Sequence, residues 1–182
     1  MNVVPTWDLL ITTTFVIVVA YSAIIGRNST MKVVFSTYVG AFCADAIGNL
    51  LYRLGYTSGA SIGSFLFNGP EAVVLLKIVV MVVIIVAMML RGTFSVEMGE
   101  SGTVVDTLAL LLLGVLSAGL IVTIILIFIS GGAFLTSGSI GVTDLAVNIY
   151  NSSQLAQLII NNSSFLIALP GLAFILMSWV TE

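Results

Sequence analysis

Four long apolar runs divide the chain, at residues 7–25, 33–51, 72–90 and 105–129, and polar or turn-forming clusters separate them. Each run is close to or above the roughly 20 apolar residues a helix needs to cross a bilayer. β-branched residues crowd these runs, as in KIVVMVVIIVAMML. In water that enrichment favours strand. In lipid every backbone N–H and C=O must be satisfied within the segment, and continuous runs of this length do so as helices. Barrel strands would instead alternate apolar and polar positions. Pro5 and Thr6 open the first run and Gly26-Arg27-Asn28 closes it. Tyr52-Arg53 closes the second, Gly69-Pro70-Glu71 and Arg91-Gly92 bracket the third, and Ser130-Gly131-Gly132 closes the fourth. Asn68-Gly69-Pro70 is the sharpest turn signal in the chain.

The C-terminal segment, about residues 152–180, has a different pattern. Leu155, Leu158 and Ile159 recur at helical spacing with Gln154, Gln157 and Asn161 opposite them, as in an interfacial amphipathic helix. Residues 165–180 are apolar but interrupted by Pro170-Gly171. Sixteen residues span roughly 24 Å as a helix, against a hydrocarbon core of roughly 30 Å. The pattern fits an interfacial or re-entrant helix pair better than a short fifth span.

Composition fixes the class. The 182 residues are 59% hydrophobic and 7% charged, against about 25% charged in soluble domains. A soluble globular reading is excluded. The expected fold is an all-α membrane protein: a polytopic bundle of four transmembrane helices plus the C-terminal amphipathic, re-entrant or fifth segment. Residues 1–182 form a single integral membrane domain. The start MNVVPTWDLL has neither a basic region nor a small-residue cleavage site, so the first run is expected to remain as a helix. The net charge of −3 comes from few groups and implies no nucleic-acid partner. There is no histidine, and Cys43 is the only cysteine. No Ser-His or Cys-His pair, no cysteine metal cage and no intrachain disulfide can form. No catalytic motif, cofactor motif or metal site is read, and the chain is expected not to be an enzyme.

Basic residues set the expected orientation. Arg27 and Lys32 lie in the short loop expected between the first two helices, and Arg91 follows the third. These loops should be cytoplasmic and the N-terminus outside, with Arg53 the one basic residue on the wrong side.

Inside the second run, in VGAFCADAIGNLL, stand Asp45 and, one turn later, Asn49. An ionisable residue in a spanning helix is costly and marks a candidate site. Lys77 lies five residues into the third run and Asp45 six residues from the end of the second. Both fall about 8–9 Å below the same boundary at 1.5 Å per residue. The pair has three readings: an ion pair that fixes helix register, a polar site in a transport or proton pathway, or no pair, with Lys77 snorkelling to the headgroups. Gly40, Ala44 and Gly48 form a small-residue stripe beside Asp45, and Gly114 and Ala118 form a shorter one in the fourth run. Such stripes let helix backbones approach closely, within the chain or between copies. Asp8 is expected to favour the start of the first helix through its dipole. Trp7, Tyr52, Tyr150 and Trp179 are expected as interfacial aromatics. Glu97, Glu100 and Asp106 make the connector after the third run acidic, which fits a solvated loop better than a cation site. Asn-X-Ser/Thr triplets begin at Asn28, Asn151, Asn161 and Asn162 and are weak glycosylation signals in so Asn/Ser-rich a chain.

The layout resembles the colicin V production protein family of bacterial inner-membrane proteins. WDLLITTTFVIVVAYSAIIGR is similar to that family's start, an aromatic-Asp pair followed by an apolar helix and a Gly/Arg turn. VVDTLALLLLGVLSAGLIV is similar to its fourth helix, with Asp106 and Gly114 in the matching places. The chain departs from the pattern at Ser117-Ala118, where the family often has Arg-Gly, and at Gly26-Arg27, where the order is usually reversed. The resemblance implies a multi-pass protein of the bacterial cytoplasmic membrane. It also implies an oligomeric accessory factor in export or envelope maintenance, whose partners are the bilayer, further copies or other membrane proteins. The alternative is a subunit of a small channel or transporter with its polar site at Asp45 and Lys77.

Overall fold

The computed structural model describes residues 6–58, 70–91, 103–134 and 144–180, and no strand occurs among them. The helices are α1 (Trp7–Ile25), α2 (Arg27–Ser58), α3 (Pro70–Arg91), α4 (Thr103–Ile129), α5 (Asp144–Ser152), α6 (Gln154–Asn161) and α7 (Ser163–Val180). The stretches Trp7–Ile25, Arg27–Tyr52, Glu71–Arg91 and Thr107–Ile129 are each long and apolar enough to cross a membrane. The protein is therefore an all-helical, multi-pass membrane protein. The expected turn at Asn68-Gly69 and the acidic residues Glu97 and Glu100 lie outside the described residues. So do residues 59–69 and 135–143, and the side chains of Arg53, Asp106 and Trp179.

α2 packs chiefly on α3 and α1 chiefly on α4, while α4 also meets α2 and α7. One apolar cluster joins α2, α3 and α4 through Ala44, Met81, Leu120, Ile124 and Phe128. A second joins α1, α4, α5 and α6 through Ile11, Val122, Leu126, Ile149 and Ala156. Trp7 packs against that second cluster, so it is an anchor of the bundle as well as an end marker. The outer faces are apolar: Ile24 is 82% exposed and Leu90 80%. That arrangement suits a hydrocarbon solvent and no other.

The connection between α1 and α2 differs from the expected loop. α2 begins at Arg27, so Arg27 and Lys32 are helical and Gly26 alone separates the two helices. Gly26 has φ 82° and ψ 171°, a region open essentially to glycine. Its N–H bonds the Ser22 carbonyl, and Thr30 Oγ1 donates to the carbonyls of both Ser22 and Gly26. The Ser22 carbonyl in the last turn of α1 thus accepts both from Gly26 and from the first turn of α2, which ties the two helices across a one-residue connection.

At the other end of the bundle α4 stops in a two-glycine turn. Gly131 has φ 74°, its N–H bonds the Phe128 carbonyl, and the Gly132 N–H bonds the Ile127 carbonyl. This is the Schellman pattern.

The C-terminal segment combines both expected patterns. α6 and α7 are bent by 64° and together pass as one broken span or a re-entrant pair. Ser153 caps α6 by accepting from the Ala156 N–H. Asp8 of α1 accepts from the Ser153 hydroxyl and from the Leu155 N–H. The expected dipole charge thus reaches across the bundle and anchors α6. Tyr38 of α2 donates its hydroxyl to the Ile167 carbonyl, and Ile167 packs on the first cluster. This proline-containing apolar helix, α7, thus finds part of its burial and a polar contact against α2 and α4. Pro170 lies inside α7, where it removes one helical hydrogen bond.

Gly26→Ala is expected to lower stability by about 1–3 kcal/mol, the usual cost of a side chain in so restricted a backbone region. Gly119→Ala, on α4 with no heavy atom within 4 Å of the added carbon, should change it by less than about 1 kcal/mol. Equilibrium unfolding in mixed micelles checks both.

Candidate functional site: a buried ion pair

Asp45 on α2 and Lys77 on α3 meet. Lys77 Nζ lies 2.7 Å from Asp45 Oδ1, with the two residues 1% and 0% exposed. The antiparallel course of α2 and α3 brings the two positions to one level. The snorkelling alternative does not occur, because the ammonium is sealed inside the bundle.

The small-residue stripe is part of the same construction. A Cβ added at Gly48 would stand 2.6 Å from Lys77 Cγ and 2.7 Å from its Cε. The lysine stem lies directly across the α2 backbone, and only glycine leaves room for it. A Cβ at Gly40 would stand 3.1 Å from the Met81 carbonyl oxygen, and Ala44 between them is fully buried. The stripe is thus filled by α3 of the same chain. Gly114 serves α4 in the same way against α1, with an added Cβ 3.2 Å from Ser22 Cβ. Ala118, one turn on, is fully buried. Asn49 is half-buried, one turn beyond Asp45 on the same face of α2.

Three contributors are not legible as site residues in the sequence. The Phe134 N–H donates to Asp45 Oδ2 at 2.8 Å, so both carboxylate oxygens have donors. The Phe128 ring lies 5.6 Å from Lys77 Nζ, within the range of a cation–π contact. Phe134 then stands edge-on to Phe128 and to Phe42, each at 5.9 Å between ring centres. Gly131-Gly132 was the one available signal, since it announces a tight reversal after α4, but a turn motif does not say which carboxylate its next N–H will meet.

A second polar contact lies between α1 and α4. Ser22 and Ser117 hydroxyls meet at 3.3 Å, and Ser117 also donates to the Gly114 carbonyl. Thr37 and Thr123 donate to carbonyls one turn back in their own helices. Among the described residues no buried side-chain nitrogen or oxygen lacks a partner, and no three His, Cys, Asp or Glu residues group as a metal site requires.

Electrostatics decides what this arrangement does for stability. The attraction of a buried pair offsets the desolvation of two charges only when geometry and extra hydrogen bonds are good. Here the Phe134 N–H and the Phe128 ring supply that extra stabilisation. Lys77→Met and Asp45→Leu are each expected to lower stability by about 3–5 kcal/mol, because each strands one buried charge. The double variant should recover most of that loss. Denaturation of the four proteins in mixed micelles measures the coupling, and two losses that simply add would show there is none.

No family model, no curated protein and no solved structure matches this chain.

Proposed function

We propose that this chain is a non-enzymatic accessory protein of the bacterial cytoplasmic membrane. It acts in export or envelope maintenance in the manner of the colicin V production proteins it resembles. The observation that carries the reading is the closure of the Asp45–Lys77 pair, whose charges are spent on each other, on a backbone N–H and on an aromatic face. A bundle so arranged uses its intramembrane polar groups to hold its own shape. Its work then falls to its surfaces. The exposed apolar faces of α1 and α3, such as Val16, Ile17, Val79 and Val83, are where further copies or other membrane proteins pack.

Arg27, Lys32 and Arg91 stand at one end of the bundle, at the start of α2 and the end of α3. Basic residues resist translocation, so this end is assigned to the cytoplasm and the N-terminus to the outside. A second reading, a transporter or channel subunit, rests on the burial of two opposite charges at 0% and 1% exposure in spanning helices, a rare and usually functional feature.

Two measurements test these assignments. In a Cys43→Ser background, an impermeant thiol reagent applied to whole cells should miss Ser29→Cys and label Gly59→Cys, and the reverse pattern would invert the topology. In a host strain lacking the gene, the Asp45→Leu/Lys77→Met variant should restore envelope integrity as well as the parent does. If that variant inserts and folds but restores nothing, the charges do more than hold the bundle together, and the transport reading replaces the accessory one.

A further inference from the structure

α7 carries a proline in its body, and a side chain from another helix meets the resulting break in its hydrogen bonding. Pro170 has no N–H for the Leu166 carbonyl, and its ring crowds that carbonyl, which opens the turn around it. The next carbonyl, that of Ile167, accepts from the Tyr38 hydroxyl of α2. The Gly171 N–H, whose helical partner would be that same Ile167 carbonyl, reaches the Tyr38 hydroxyl as well. A Cβ added at Gly171 would stand 3.7 Å from the hydroxyl, so the two are neighbours across the break. A group inserted between an N–H and the carbonyl four residues before it is a known cause of helix bending. On one side of the break Ile167 packs on the first cluster, and Pro170 itself is buried. On the other side Ala173 is buried, while Leu172, Phe174, Ile175 and Leu176 are exposed.

We infer that α7 is jointed at Pro170-Gly171 and that the Tyr38 hydroxyl is the pin of the joint. Inserted in the hydrogen-bond ladder of α7, the hydroxyl fixes the angle between the half of the helix before the proline and the half after it. Tyr38 packs on the same cluster as Val34 and Ala41 of α2, so the pin moves with α2. A shift of α2 against α4 then changes the angle at the joint and moves the exposed side chains from Leu172 to Leu176. This goes beyond the accessory role proposed above and stands independently of it.

Amide hydrogen exchange in mixed micelles tests the pin in the parent, Tyr38→Phe, Pro170→Ala and the double variant. Tyr38→Phe keeps the ring and removes the hydroxyl. It should speed exchange at residues 171–174 by about tenfold, the size of one lost hydrogen bond, and leave residues 120–128 of α4 unchanged, the mark of a local effect. Pro170→Ala restores an N–H to the ladder, so in that background Tyr38→Phe should have less than about a twofold effect. No change at 171–174 in Tyr38→Phe would show that the hydroxyl is not a pin. Equal acceleration in both backgrounds would show an ordinary contact unconnected with the proline. Acceleration at 120–128 as well would mean general loosening and would also overturn the joint. Should Pro170→Ala not fold, spin labels on Phe35→Cys and Leu176→Cys in Cys43→Ser protein decide the question. The distance distribution should widen when Tyr38→Phe is added, and an unchanged distribution would overturn the joint.

Discussion

Two opposite charges inside hydrocarbon have to be brought together and kept dry, and most of this bundle follows from that requirement. Asp45 and Lys77 come from neighbouring antiparallel helices, so α2 and α3 must run close enough for a lysine stem to cross the gap. Gly48 provides the space for the stem and Gly40 the close backbone approach two stripe positions away. Once the helices are that close, Asp45 Oδ1 takes its donor from Lys77, and Oδ2 takes a donor from outside the pair. The turn after α4 supplies one through the Phe134 N–H. Three elements are therefore held by one carboxylate.

The same rule explains smaller features. In a solvent that offers no hydrogen bonds, each polar group needs an internal partner. Thr30 donates to the Ser22 and Gly26 carbonyls and so ties α2 to α1 across the one-residue connection at Gly26. Asp8 meets the start of α6 through Ser153 and the Leu155 N–H. Tyr38 takes up the Ile167 carbonyl beside the proline of α7. Each contact joins parts of the chain that apolar packing alone would leave free to slide, because hydrocarbon side chains pack against lipid nearly as well as against one another.

This division of labour bears on function. Apolar contacts are plentiful and unspecific here, and a few polar contacts set register and position. A change at Asp45, Lys77 or Phe134 thus has consequences across α2, α3 and the end of α4 together. Changes on the exposed faces of α1 and α3 leave the internal network intact and act on whatever packs there.

The sequence alone determined the class, the four spans and the level at which two charges would lie. Apolar run length and the depth count from each end are local quantities, and lipid allows those runs only one backbone solution. It also singled out Gly40, Ala44, Gly48, Gly114 and Ala118 as packing positions. It left open whether the stripe on α2 served this chain or a second copy. It placed Arg27 in a loop, because Gly-Arg-Asn reads as a turn, whereas Gly26 alone makes the connection and Arg27 opens α2. It could not assign Phe134, Phe128 or the bridge from Asp8 to Ser153. The contacts of Phe134 with Asp45 and of Asp8 with Ser153 and Leu155 link positions 89 to 147 residues apart, and nothing in local periodicity encodes such distances. Only the tertiary structure decided them, since they exist only once helix packing has set which backbone N–H stands opposite which carboxylate.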